Sequence, residues 1–329
     1  MNVASALSSI ISPDYLKELI IDRYGFDNSS TCSILKTGIN HNYLFTTDIG
    51  QKFVFRVYSK DWRSLQEIEE ELALLSYLKD HEVSVSYPIK DVSNQQIQRI
   101  NAFEGERFGV LFSYAEGQTQ RNPSTATCYH LGHLMARMHR LTVGNRIHRK
   151  TYDETSLMAW AFEKAKERFD ESMKEMRYFA RAVSLITDEF KEIDPKSVRT
   201  GVVHLDMWYD NMKIKEDTEI TLFDFDNCGN GWLFLDIGYS LMLLFRNEPD
   251  KHEYEKKKAS FFKGYESIIP IAEEEKRLIP LGGLAIWLHY TGIHVVRFND
   301  FANHFLSDEF LKYWIHTVDQ WMRYHHIEL

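Results

Sequence analysis

The chain has 329 residues, of which 44% are apolar and 26% charged, and a formal net charge of −9. That length exceeds one ordinary core and fits two packed lobes, while the acidic balance disfavours a general nucleic-acid coat, which needs a basic surface. Three widely spaced cysteines, Cys32, Cys128 and Cys228, form no C-x-x-C, so neither a disulfide framework nor a zinc site is expected.

The residues before Asp14 hold no basic segment followed by a long apolar run, and the chain reads as lacking an uncharged apolar stretch of 18 residues. The expectation is a cytoplasmic protein with no membrane partner. Ser12, Pro13 and Asp14 ahead of Tyr15, Leu16, Leu19 and Ile20 predict a capped helix. Strands are expected at 32–35 and 43–47, on either side of the polar loop 37–42. A turn at 48–51 leads into a third strand at 52–58, with Phe53, Phe55 and Val57 on one face and Val54, Arg56 and Tyr58 on the other. Residues 64–79 read as a helix, because Ile68, Leu72, Leu75 and Leu78 follow the 3–4 spacing. Glu71 lies on or beside that stripe. A carboxylate there needs a buried partner, and Arg56 is on the minority polar face of its strand.

Strand-like pieces follow at 83–89, 97–102 and 108–114. From about residue 124 the periodicity turns helical, at 128–141 and 157–193. A short β region spans 202–225, and helices resume from Asp236 to the end. The expected class is therefore α+β: an antiparallel sheet with one helix over residues 1–115, then a mostly helical lobe over 116–329.

The most informative stretch is 202–236. It holds His204-Leu205-Asp206, then Asn211 five residues on, then Asp224-Phe225-Asp226 closing a strand. Phosphoryl transfer needs a carboxylate near the attacking hydroxyl and oxygen ligands for magnesium. Asp206 suits the first role, and Asn211 and Asp224 the second. Residues 212–214 and 220–225 read as a hairpin. A loop at 216–219 would pair Lys215 with Ile220 and bring Asn211 opposite Asp224. Strict alternation would also place Ile220, Leu222, Asp224 and Asp226 on one face, with Asp226 either a second metal ligand or a solvated strand end. His204 is a candidate catalytic residue whose simpler role is to brace the loop. Asp236 precedes an apolar helix and suits an N-cap. Trp208 and Tyr209 flank the loop and are candidates for stacking on a substrate or for packing. Trp287, Tyr290, His294 and Arg297 share a helical face, either core or the lining of an acceptor pocket. The cluster Lys256-Lys257-Lys258 reads as a solvated face.

These motifs resemble those of the aminoglycoside phosphotransferase and choline kinase superfamily, which has the protein-kinase-like fold and includes homoserine kinases. The resemblance covers nearly the whole chain. Residues 221–232 and Asp236 look like those of an uncharacterised small-molecule phosphotransferase subgroup. It implies Asp206 as catalytic base, Asn211 and Asp224 as metal ligands, and Asp236 as a brace or substrate contact near the loop. It places the loop with Gly38, Asn40 and Asn42 over nucleotide phosphates, Arg56 where the family has a phosphate-binding lysine, and Glu71 as its helix anchor. Phe112 and Tyr114 fall in the hinge at 112–117, whose backbone would meet the nucleotide base. Residues 131–139 look like the first helix of the second lobe. The chain departs from the pattern with Leu205 where a glycine is usual, Arg56 for lysine, and a single glycine in its loop.

The implied activity is transfer of the γ-phosphate of ATP, or of GTP, with Mg2+, to a hydroxyl of a small molecule such as an amino alcohol, aminoglycoside, sugar or homoserine-like acceptor. A protein kinase is disfavoured, because eleven residues separate Asp224 from Asp236, no A-P-E follows, and the arginine of H-R-D is missing. A non-catalytic nucleotide-binding protein of the same fold would be signalled by loss of Asp206, Asn211 or Asp224, and all three are present.

Overall fold

A computed structural model describes residues 6–297 and 306–329. The chain divides into two compact units, the first ending at Glu116 and the second beginning at Gly117.

In the first unit, α1 (Pro13–Tyr24) starts with the Ser12 hydroxyl accepting from the Asp14 amide and stops at Gly25, whose φ of 71° lets it take the left-handed cap. Strands β1 (Thr31–Lys36), β2 (His41–Thr46), β3 (Lys52–Val57), β4 (Ile97–Ala102) and β5 (Gly105–Ser113) form one antiparallel sheet in the order β1-β2-β3-β5-β4. Phe45, Phe53, Phe55, Val57 and Leu111 from the sheet pack on Leu16 and Ile20 of α1. Helix α2 (Leu65–Asp80) opens with a Ser64–Glu67 capping box and buries Ile68, Glu71, Leu72, Leu75 and Leu78. The strand expected at 83–89 is not a regular one: it meets β5 through a bridge between Pro88 and Phe112 and bonds from Ile89 N to Leu111 O and from Ser113 N to Tyr87 O. A proline without an N–H cannot carry a ladder further.

The second unit holds α3 (Thr125–Thr142), α4 (Trp160–Lys166), α5 (Lys174–Lys191), β6 (Thr200–Val203), β7 (Met212–Lys215), β8 (Glu219–Leu222), β9 (Gly229–Trp232), α6 (Phe234–Asn247), α7 (Lys251–Glu266), α8 (Glu273–Val296) and α9 (Asp308–Tyr324). The long helix expected at 157–193 is broken by a turn in which Asp170 accepts from the Ser172 and Met173 amides. β6 pairs with β9, and β7 with β8, both antiparallel.

Two readings are corrected here. Helix α8 has no Asp, Glu, Lys or Arg from Leu278 to Val296, so by length and composition it is apolar enough to cross a bilayer. Its apolar surface is instead largely buried against α4 and α6. Gly238 of α6 and Gly283 of α8 make the crossing possible, since a Cβ on either would collide with the other's backbone. Lys257, read as solvated, is buried, with Nζ 2.7 Å from Glu248 Oε2 and 2.6 Å from Asn122 Oδ1.

Candidate active site

The loop after β6 is built around a buried acid. Asp236 lies within the first turn of α6, not at its cap, and is fully buried. Its Oδ2 accepts the His204 amide at 2.8 Å, and its Oδ1 accepts the Leu205 amide at 2.6 Å. His139 Nε2 of α3 lies 3.1 Å from Oδ2, and Tyr265 OH lies 2.8 Å from His139 Nδ1. With its oxygens occupied and no exposure, Asp236 is a brace and neither an N-cap nor a substrate contact.

His204 is likewise sealed off. Its Nδ1 accepts the Asp206 amide at 3.2 Å, which leaves Nε2–H to donate to the Phe223 carbonyl at 3.2 Å. Burial lowers its pKa and keeps the ring neutral. A buried ring with both nitrogens committed to backbone ties the loop to the segment after β8; this is the simpler, bracing role, and the catalytic candidacy of His204 is dropped.

Asp206 is partly exposed, and Asn211, at the end of a short 3-10 turn (Tyr209–Asn211), is buried behind it. Asn211 Nδ2 donates to Asp206 Oδ2 at 2.7 Å and to the Asp206 carbonyl at 3.0 Å. The hairpin differs from expectation by one residue. Lys215 pairs with Glu219 and Ile214 with Ile220, around a three-residue loop in which Glu216 and Asp217 have φ of 50° and 58°. Asn211 thus faces Phe223, whose amide donates to the Asn211 carbonyl at 3.0 Å, and Asp224 is the next residue. The strand ends at Leu222, and Asp224 turns left-handed (φ 65°, ψ 60°) into a second 3-10 turn, Phe225–Asn227. The alternation that placed Asp224 and Asp226 on one strand face is therefore absent. Asp226 is buried within the turn, where its carbonyl accepts from Arg149.

Trp208 and Tyr209 stack obliquely on one another at 4.5 Å, and the Arg121 guanidinium lies 5.4 Å from the Tyr209 ring. The Trp208 indole N–H is buried without an acceptor among the described residues, and Trp208 borders an apolar cavity of about 40 Å³. Sequence reasoning missed Tyr239 of α6. It stacks on Tyr290 of α8 with centroids 5.5 Å apart and planes 14° apart. Tyr290 OH donates to the Leu205 carbonyl at 3.3 Å. Nothing local marks Tyr239, which sits in an apolar helix.

In the first unit, Arg56 and Glu71 form a buried pair, Nη1 to Oε1 at 3.4 Å. Arg56 Nε also reaches Asn42 Oδ1 at 3.3 Å, and Tyr58 OH reaches Glu71 Oε2 at 3.3 Å. The guanidinium lies 5.4 Å from the Phe112 ring and 5.8 Å from that of Tyr58. Asn40 Oδ1 accepts the Ser59 amide at 3.2 Å. The amide oxygens of Asn40 and Asn42 thus brace the hairpin. Gly38 has no left-handed φ, and a Cβ there would meet only the Asn40 carbonyl at 3.9 Å, so this position does not require glycine. Tyr114 follows β5, with Lys52 Nζ 5.3 Å from its ring centre.

The description "Phosphotransferase enzyme family" belongs to the family model that matches residues 32–271. The chain belongs to this family. A homoserine kinase of Phenylobacterium zucineum is 26% identical over 299 residues, covering 88% of this chain and 87% of that protein. Among solved structures, amicoumacin kinase hAmiN in complex with AMP-PNP, Ca2+ and Ami superposes with a TM-score of 0.75 at 20% identity, covering 93% of this phosphotransferase and 92% of that chain. A microcompartment-associated aminopropanol kinase gives a TM-score of 0.73 at 20% identity, covering 94% and 95%. The α+β, protein-kinase-like architecture of the phosphotransferase is shared with these neighbours.

Among the described residues, no cluster of three or more His, Cys, Asp or Glu could cage a metal ion alone. The two candidate ligands, Asn211 and Asp224, offer one amide oxygen and one carboxylate. That suits magnesium, which binds one or two protein oxygens and completes its shell with phosphates and water.

Proposed function

We propose that this phosphotransferase moves the γ-phosphate of ATP, taken as its magnesium complex, onto a hydroxyl of a small molecule, with Asp206 as the base. The observation that carries this reading is the Asn211–Asp206 contact. The amide nitrogen is held at 2.7 Å from the carboxylate, so the amide oxygen of the same side chain is the atom left for a cation. One side chain then orients the base and supplies a metal ligand.

Asn211 and Asp224 would hold the Mg2+, which when bound neutralises charge developing on the phosphoryl oxygens. Asp206, partly exposed, receives the proton of the acceptor hydroxyl. Asp236 and His204 keep the loop in one conformation, so little reorganisation accompanies transfer. Arg56, locked by Glu71 and Asn42, supplies a fixed positive charge in the position of the usual lysine, and its fork suits phosphate oxygens. The backbone of 112–114 meets the nucleotide base.

The names of the relatives support small hydroxylated acceptors. The test is ADP release by purified protein over a panel of homoserine, amino alcohols, aminoglycosides and sugars, with ATP and GTP run in parallel. Turnover on at least one acceptor, abolished in Asp206→Ala with nucleotide binding intact, is expected. An Asp206→Ala variant as active as the parent would sink the assignment of the base.

A further inference from the structure

Leu205 holds a backbone conformation that suits glycine. Its φ is 64°, and its side chain is buried. For a branched, bulky residue this region is unfavourable, so neighbours must hold it there. The Leu205 amide is gripped by Asp236 Oδ1 at 2.6 Å. The next peptide, joining Leu205 to Asp206, is gripped at both ends. Its N–H donates to His204 Nδ1 at 3.2 Å, and its carbonyl accepts from Tyr290 OH at 3.3 Å.

Tyr290 is itself fixed. Asn227 Nδ2 donates to its hydroxyl at 3.1 Å, so the single phenolic proton is left for the Leu205 carbonyl and the Asp206 carboxylate, both within its reach. Tyr239 stacks on the ring and sets its plane. Burial, and then the charge of Asp206, push the phenol well above its ordinary pKa, so it stays a donor.

We propose that Tyr290 is a positioning residue for Asp206: its hydroxyl clamps the Leu205 carbonyl, opposite Asp236, and holds the strained peptide that aims the Asp206 carboxylate. This rests on Asp206 being the base. The clamp replaces what a glycine in place of Leu205 would give without strain.

Tyr290→Phe removes only the hydroxyl and keeps the ring stack. In the ADP-release assay, with the best acceptor of the panel or with water as acceptor, kcat is expected to fall roughly tenfold to a hundredfold, the scale of a small misplacement of a reacting group. The KM for ATP is expected to hold. Leu205→Gly supplies the discriminating background, because glycine adopts the left-handed region unaided. The penalty of Tyr290→Phe should shrink severalfold there. A Tyr290→Phe variant as active as the parent, or a penalty that is the same with and without Leu205→Gly, overturns the clamp. Independently of turnover, a crystal structure of Tyr290→Phe should show the 205–206 peptide rotated. Leu205 still left-handed with Asp206 unmoved overturns the proposal. Asp206→Ala in the same assay separates the two ideas: its retained activity removes the base, whereas an inactive Asp206→Ala beside a fully active Tyr290→Phe removes only the clamp.

Discussion

The side-chain nitrogen of Asn211 lies 2.7 Å from Asp206 Oδ2 and 3.0 Å from the Asp206 carbonyl. A single amide thus fixes both the rotamer of the carboxylate and the backbone that carries it. Asn211→Ala removes this hold and, with it, the proposed magnesium ligand. Its kcat should fall by roughly a hundredfold or more, and half-maximal activity should need more magnesium. Asn211→Asp keeps an oxygen ligand but sets a like charge beside Asp206, which raises the pKa of the pair. The acidic limb of its pH–rate profile should therefore move to higher pH. Magnesium titrations and pH profiles of the two variants check this, and an unshifted limb in Asn211→Asp would count against direct coupling.

Arg56 and Glu71 carry the corresponding relationship in the first unit. Glu71→Gln leaves a buried guanidinium without its counter-charge and should cost about 3 kcal/mol of stability. Arg56→Lys keeps the charge but loses the fork that spans Glu71 and Asn42, so the KM for ATP should rise severalfold with a smaller change in kcat. Denaturant unfolding and steady-state kinetics measure the two effects. Equal nucleotide KM in Arg56→Lys and the parent would remove Arg56 from the nucleotide site.

How far such pairs could be read from the sequence depends on whether their cause is local. Glu71 was legible because a carboxylate on a stripe of Ile68, Leu72 and Leu75 demands a cation, and Arg56 on the polar side of β3 was available. The capped start of α1 was legible for the same reason, since Ser12 acts within two residues. The β7–β8 register was not. It turns on Glu216 and Asp217 both being left-handed, and nothing in Lys-Glu-Asp-Thr-Glu announces that. Asp224 leaves the strand by the same backbone choice, which ended the alternation expected through Asp226. The bracing role of Asp236 came from the resemblance and not from the residues themselves, because its partners, the amides of His204 and Leu205, lie more than thirty residues away in sequence. A helix-start pattern alone reads as a cap.

Lys257 shows the same failure in a place that can be tested by stability. A triple-lysine run reads as surface, yet Lys257 Nζ and Glu248 Oε2 form a buried pair, joined into a triad by the exposed Asn122. Bonding to Lys257 first, then to Asn122, lowers the Glu248 pKa from 4.5 to about 2. A carboxylate depressed in the folded state contributes stability that is complete above its unfolded pKa and is lost as pH falls toward the folded one. The triad's contribution should therefore disappear between about pH 4.5 and pH 2. Lys257→Met should cost about 3 kcal/mol near neutrality, because it strands a buried carboxylate. Lys257→Met combined with Glu248→Gln should recover part of this loss. Urea midpoints of the single and double variants decide the matter; an additive double variant would mean that the two groups do not interact.

The histidines of the second unit make a separate forecast at higher pH. His289 is buried, with its Nδ1 at 3.1 Å from the Leu157 carbonyl and its ring against Trp160 at 4.8 Å. Burial, and then the charge of Lys150, lower its pKa from 6.5 to about 3. Here the depressed group is a base, so the folded chain carries it neutral while the unfolded chain takes up a proton below pH 6.5. Stability is complete above pH 6.5 and falls as the pH drops toward 3, by at most about 1.4 kcal/mol per pH unit for each such histidine. His204, also lowered by burial, acts in the same direction. The interval from pH 6.5 to pH 5 isolates this effect, since Glu248 does not contribute until about pH 4.5. His289→Phe should be less stable than the parent at pH 8, having lost the bond to Leu157, yet its stability should decline less steeply across that interval. Denaturant unfolding at pH 8, 6.5, 5.75 and 5 measures both slopes, and identical slopes would show that His289 is not held neutral by the fold.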